Sequence, residues 1–363
     1  MKNLIAKLHY KKELDFDEKI LCFFLAFLSF FYSAAVKLRL LAYKSGILKT
    51  NKVKAFVISI GNITTGGTGK TPVCVALANY ISNELGKNTA LLSRGYGGKL
   101  NNTNVHVISD GKNIFHSAYM GGDEPYWLAF HAQNTSVLTC RNRVACANEA
   151  LKNGAEVLIL DDGFQHLKLY RDFNVLLIDG NLRFGNTKPL PLGPLREPLS
   201  EIKRADYILI MNKRAFDDTA RDNCRDFAVK LSEKYAKPAQ VCNFKPDGIF
   251  NLKNHEILPQ GGKIYAFCAI ARPEFFFSYL EKEDFEIVKR REFTDHHLYT
   301  PDDVSNIVEE AKKLGVSAIV TTEKDGVKLK AILDENTSGI DFYTLKLGLD
   351  IDVHSILKNI NIL

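Results

Sequence analysis

Residues 55–72 read AFVISIGNITTGGTGKTP, and the fold turns on how this stretch is parsed. An apolar run, 55–62, leads into a glycine-rich loop that ends in Gly69-Lys70-Thr71, with Pro72 just beyond. Proline suits the first turn of a helix, where its missing N–H would have had no partner anyway. Strand, glycine loop and helix in that order make a phosphate-binding loop, whose backbone amides and helix N-terminus face phosphate oxygens. The common spelling is G-x-x-x-x-G-K-[ST], and here the leading glycine position holds Thr64. Gly66, Gly67 and Gly69 still allow the backbone to turn its amides inward. Thr64, Thr65, Gly66, Gly67, Thr68, Gly69, Lys70 and Thr71 are therefore expected to hold a nucleotide. Lys70 suits its β- and γ-phosphates, and the Thr71 hydroxyl suits Mg2+.

A phosphate loop also needs a carboxylate at the end of a neighbouring strand. The run VLILDDGFQH, residues 157–166, supplies Asp161 and Asp162 after four apolar residues, which suits a Mg2+ ligand pair. Further strands are expected over 89–96, 174–180 and 206–212, with helices at 71–85 and 141–153 between some of them. Continuous apolar strands separated by helices indicate a parallel sheet covered on both faces. A second group of strand candidates follows at 239–252, 263–270, 285–293, 317–325 and 340–347, interleaved with helices at 272–283 and 301–314. The stretch LSEKYAKPAQ (231–240) marks a boundary, with a helix ending before Pro238.

The chain of 363 residues is long enough for two domains. Its seven cysteines form no CxxC pair and no metal-binding spacing, which fits reduced thiols. The net charge of +6 is unevenly placed, with eleven Lys/Arg against four Asp/Glu in residues 1–60. No platform of aromatic and basic residues accompanies it elsewhere, so a nucleic-acid partner is not expected. Residues 20–36, ILCFFLAFLSFFYSAAV, are uncharged and near the lower length for crossing a bilayer. Lys37, Arg39, Lys44, Lys49, Lys52 and Lys54 follow, and this bias puts the downstream chain on the cytoplasmic, anionic-lipid side. Leu38, Leu40, Leu41 and Tyr43 alternate with these cations, which suits an interfacial continuation of the helix.

Other polar clusters sit where a doubly wound sheet places function, beyond strand ends. They are LSRGYGG (92–98), GGDEP (121–125), Arg141 with Arg143, GPLREP (193–198) and FTDHH (293–297). Arg141 and Arg143 are candidates for phosphate contact. TTEKD (321–325) suits either nucleotide contact or packing between domains.

Taken together, GNITTGGTGKTP, LSRGYGG, GGDEP, LDDGFQH, GPLREP, FTDHH and TTEKD resemble the tetraacyldisaccharide 4'-kinase family, in order through residues 61–325. That resemblance implies a membrane-associated P-loop kinase that uses ATP and Mg2+ on the cytoplasmic face of the inner membrane. Its acceptor would be a lipid disaccharide 1-phosphate, and no protein partner is implied. It also implies Asp123 as the base, His296 as its partner, Asp161 and Asp162 as Mg2+ ligands, and Arg196 with Glu197 as a catalytic loop pair. The expected fold is a P-loop NTPase-type α/β/α sandwich with a second, smaller α/β domain and an N-terminal membrane-associated helix. The corresponding divisions are 1–45, 46–235 and 236–363. An alternative from another class is a membrane-bound switch similar to the partition ATPases, whose loop carries a lysine where this chain has Thr65.

Overall fold

The computed structural model describes residues 8–11, 13–270, 272–294, 297–329, 332–333, 339–358 and 360. Helix α1 (Phe16–Lys44) precedes β1 (Phe56–Gly61), α2 (Lys70–Asn79), β2 (Thr89–Ser93), β3 (His106–Ser109), α3 (Asp123–His131) and β4 (Thr135–Thr139). Then come α4 (Arg143–Lys152), β5 (Val157–Asp161), β6 (Phe173–Asp179), β7 (Tyr207–Asn212) and α5 (Asp218–Tyr235). The remainder is β8 (Ala239–Asn251), β9 (Lys263–Cys268), α6 (Pro273–Lys282), β10 (Glu286–Glu292), α7 (Pro301–Lys313), β11 (Ala318–Thr322), α8 (Glu323–Leu329) and β12 (Asp341–Asp350).

All twelve strands join one sheet in the order β10-β9-β11-β12-β8-β7-β6-β1-β5-β2-β4-β3. Neighbours are parallel except at β3/β4 and β8/β12. Strands β2, β5, β6 and β7 are buried along their whole length, in keeping with the apolar runs at their centres. Alternate side chains go to opposite faces. Ile58 and Ile60 of β1 pack with Val73 and Leu77 of α2, while Val57 packs with Cys146 and Ala147 of α4. Each fully buried Ile, Leu or Val contributes on the order of 1.5–3 kcal/mol. Helices thus cover both faces, and the chain has the α/β/α sandwich that its strand pattern predicts.

Strand β8 joins the two halves. Its first residues pair parallel with β7 and its later ones antiparallel with β12. One apolar cluster runs from Ile58 in β1 through Phe244 in β8 to Phe276 in α6. We propose that residues 46–235 and 236–363 act as two lobes on this shared sheet. All seven cysteines are unpaired, and six are buried.

Side-chain caps begin several of the helices. Asn142 caps α4, Asp217 caps α5, and Thr300 caps α7 in a capping box with Asp303. Strands β3 and β4, absent from the sequence reading, are short and carry Ser and Thr among few apolar residues. The strand expected over 317–325 stops at Thr322, because the Asp325 amide donates to Thr322 Oγ1 (3.2 Å) and opens α8.

Helix α1 is longer than the apolar run that announced it. Its 29 residues extend about 44 Å, against roughly 30 Å of hydrocarbon core. Leu25 and Ser29 are its buried residues, while Phe23, Phe24, Phe27, Phe30 and Phe31 are all exposed. It is long and apolar enough to cross a membrane, and only 11% of its most apolar window is buried. Replacing both Phe27 and Phe31 with glutamate should weaken partition into anionic vesicles by about 100-fold or more in a flotation assay, from roughly 1.5–3 kcal/mol per ring. Undiminished flotation would mean that another surface anchors the chain.

Candidate active site

The site starts where β1 ends. Gly69 takes φ +85° just before α2, a left-handed backbone that favours glycine. A Cβ there would lie 2.6 Å from Phe244 Cζ and 3.2 Å from Met211 Cε. Gly69→Ala therefore combines backbone strain with overpacking, about 1–3 kcal/mol, and should weaken ATP binding on the order of 10-fold in a titration. Unchanged affinity would contradict a phosphate-cradling role for the loop. The hydroxyl-bearing Thr64 and Thr68 are buried, whereas Gly66 and Gly67 are exposed. Thr64 makes an antiparallel bridge to Leu195, and the Thr65 amide donates to Pro194 O (2.8 Å). The residue that replaces the usual first glycine thus stitches the phosphate loop to the GPLREP segment.

Parallel pairing of β1 with β5 sets Ile60 opposite Asp161, which brings the carboxylate pair beside the loop. Thr71 Oγ1 donates to Asp161 Oδ2 at 3.3 Å, and Asp161 Oδ1 is buried with no hydrogen-bond partner among the described residues. Burial, with the nearby Glu124 charge second, pushes the Asp161 carboxyl up to about 6. Asp162 takes φ +54° and turns away from the strand. Burial raises its carboxyl, but Lys70 and Arg196 together outweigh this and hold it below the usual aspartate value. Lys70 Nζ lies 3.5 Å from Asp162 Oδ1 and 3.4 Å from Asn62 Oδ1.

Arg196 closes this group, with Nη1 donating to both Asp162 oxygens at 3.0 and 2.9 Å. Its backbone is held independently: the Arg196 amide donates to Ile63 O (2.8 Å) and its carbonyl accepts from Tyr32 Oη (2.9 Å). Arg39 of α1 likewise donates to Gln165 O at 2.6 Å. The membrane-type helix therefore touches both loops that frame the site. Glu197 diverges from its neighbour. It is 1% exposed and pairs with Arg204, whose guanidinium lies 4.4 Å from the centre of the Phe164 ring. Burial raises the Glu197 carboxyl.

Arg143 is not available for phosphate contact, contrary to the sequence expectation. It is 4% exposed and donates to Cys140 O (2.7 Å) and Asp161 O (3.1 Å), so it supports the Asp161 backbone from behind. Arg141 is exposed.

Asp123 begins α3. The two glycine stretches LSRGYGG and GGDEP meet backbone to backbone ahead of it. A Cβ on Gly98 would fall 2.7 Å from the Gly121 carbonyl carbon, and one on Gly122 would fall 2.8 Å from Tyr96 O. Asp123 Oδ2 lies 3.5 Å from Lys328 Nζ of α8. Lys324 reaches Glu124 at 4.0 Å, and Glu323 meets His131 Nε2 at 3.1 Å. TTEKD and the turn after it therefore pack α8 against α3, linking the C-terminal half to the phosphate-loop half. His296 and Asp295 lie outside the described residues. His297 Nε2 pairs with Asp303 Oδ2 at 3.0 Å, and its ring stacks on Phe293.

This set offers cations for phosphate oxygens, and the Thr71–Asp161 pair with its unused carboxylate oxygen fits one Mg2+ ion. Among the described residues no group of three or more His, Cys, Asp or Glu could hold a metal. A cation here would complete its shell with phosphate oxygens and water, as Mg2+ commonly does.

The model of one protein family, tetraacyldisaccharide-1-P 4'-kinase (LpxK), matches residues 21–361. The chain belongs to this family. Two tetraacyldisaccharide 4'-kinases show how much is shared. That of Halothermothrix orenii is 35% identical over 93% of this chain and 90% of its own length. That of Desulfotalea psychrophila is 39% identical over 85% of this chain and 88% of its own. A solved structure of LpxK from Aquifex aeolicus, described as an "apo" form in complex with ATP, aligns with TM-score 0.70 at 28% identity. The alignment covers 93% of this chain and 97% of that one. This LpxK-family chain is thus an ATP-dependent kinase. Lys328 and Asn62, which touch the central residues, escaped the sequence reading. The one available signal for Lys328 was the T-x-x-D helix start that precedes it.

Proposed function

We propose that this chain transfers the γ-phosphoryl group of ATP to the 4'-hydroxyl of a tetraacyldisaccharide 1-phosphate, forming lipid IVA at the cytoplasmic face of the bacterial inner membrane. One observation carries the reading: Lys70, Asp162 and Arg196 form a single ion-paired group beside the Thr71–Asp161 pair. The loop amides between Thr64 and Thr71 cradle the phosphates, and Lys70 holds the β- and γ-phosphoryl oxygens. Thr71, Asp161 and Asp162 would hold a Mg2+ ion, which would supply positive charge to offset that of the phosphates.

Asp123 accepts the proton of the 4'-hydroxyl as the new O–P bond forms and the bond to the β-phosphate oxygen breaks, so that ADP leaves. His296 orients Asp123, a role taken from the family resemblance. Arg196 offsets charge on the transferring group. Glu197 serves the same loop through Arg204, holding it from the interior while Arg196 faces the phosphates.

The acceptor's acyl chains stay in the bilayer, so the enzyme works at the surface. Lys37, Arg39 and Lys44 on α1 would each draw anionic headgroups at about 1 kcal/mol when close to it. A test is whether ADP release in detergent depends on the acceptor. Release that rises only when tetraacyldisaccharide 1-phosphate is added supports the transferase, and equal release without it points to an ATPase switch.

A further inference from the structure

Lys328 is buried, with its side chain 5% exposed. Its ammonium lies 3.2 Å from His297 O, 3.3 Å from Asp325 Oδ1 and 3.5 Å from Asp123 Oδ2. An ammonium has three N–H donors, and these three acceptors lie on three segments: the FTDHH loop, α8 itself and the first turn of α3. Charge balance alone does not demand this arrangement. Asp325, on the same helix and fully buried, already offsets the lysine. Asp325 is itself fixed, accepting from the Ala269 amide (2.9 Å) and Thr322 Oγ1 (2.7 Å). The Tyr299 ring lies 5.9 Å from the ammonium. Lys328 is therefore anchored, through Asp325, by the residue that follows β9 and by the end of β11, and Asp123 is set against that fixed point.

We propose that Lys328 is a positioning residue for phosphoryl transfer, holding the Asp123 carboxylate in register with His297 across the two halves of the sheet. This rests on the reading of Asp123 as the base. The outer contacts of the same helix pair differ in kind. Lys324 and Glu124 are 4.0 Å apart with 27% and 43% of their side chains exposed, where ion pairs contribute little.

The test is a double-mutant cycle on the full-length enzyme, read as single-turnover transfer from labelled ATP to the lipid acceptor. Lys328→Met should lower the rate on the order of 10²-fold, the cost of a small misplacement, with the KM for ATP nearly unchanged. Lys324→Met should leave both near wild type. In an Asp123→Asn background, Lys328→Met should cause no further loss, because both changes remove one interaction. A purely structural lysine would instead multiply the two losses, and that result overturns the proposal, as does wild-type turnover in Lys328→Met. Should Lys328→Met fail to unfold cooperatively, Lys328→Arg carries the same cycle, since its planar fork cannot reproduce the three-way ammonium contact. Full turnover in Asp123→Asn alone would reject the base itself. Collapse there with normal Lys328→Met turnover would reject only the role of Lys328.

Discussion

Replacing Asp123 with asparagine should lower kcat by about 10²–10⁴-fold, the usual worth of a positioned general base. Asparagine keeps the size of the side chain at the start of α3, so the glycine contacts before it and the helix after it are undisturbed. What disappears is the proton acceptor and the charge that faces Lys328. Because the phosphate loop lies on another segment, nucleotide affinity should stay close to wild type. Steady-state kinetics with the lipid acceptor, beside an ATP titration, separate the two effects. Normal kcat would remove Asp123 as the base, and lost ATP binding would make its role structural.

Arg196→Ala should be at least as costly. Arginines that meet a transferring phosphoryl group are worth on the order of 10³–10⁵ in kcat. The structure makes this a clean substitution, since hydrogen bonds through Ile63 O and Tyr32 Oη hold the Arg196 backbone without its side chain. Thr64 and Thr65 keep their own links to Leu195 and Pro194. Arg196→Lys should recover little of the loss, because an ammonium lacks the planar fork with which a guanidinium can meet a carboxylate and a phosphoryl oxygen together. A lysine variant with full activity would show that positive charge alone suffices.

The parts of the site that were legible in the sequence are contiguous there. Gly69-Lys70-Thr71 follows an apolar strand, and Asp161-Asp162 ends another, so chemistry and secondary structure coincide in one short window. Residues whose meaning depends on direction were not legible. Arg196 and Glu197 are neighbours, yet one meets Asp162 and the other turns inward to Arg204. Arg143 has the composition of a phosphate contact, but its burial behind Asp161 comes from the packing of α4 on the sheet. Lys328 was hidden for a similar reason: beyond Asp325 on its own helix, its partners Asp123 and His297 are far from it in sequence. Ten of the twelve strands were legible as two groups, but their union into one sheet through β8 was not, and β3 and β4 were missed because so few apolar residues mark them.

The most direct test of the whole account is to incubate purified protein with γ-labelled ATP, Mg2+ and tetraacyldisaccharide 1-phosphate in detergent, and then to locate the label on the lipid. Label is expected at the 4' position of the disaccharide, abolished in the Asp123→Asn variant. ATP consumption without labelled lipid, or label at any other position, would contradict it.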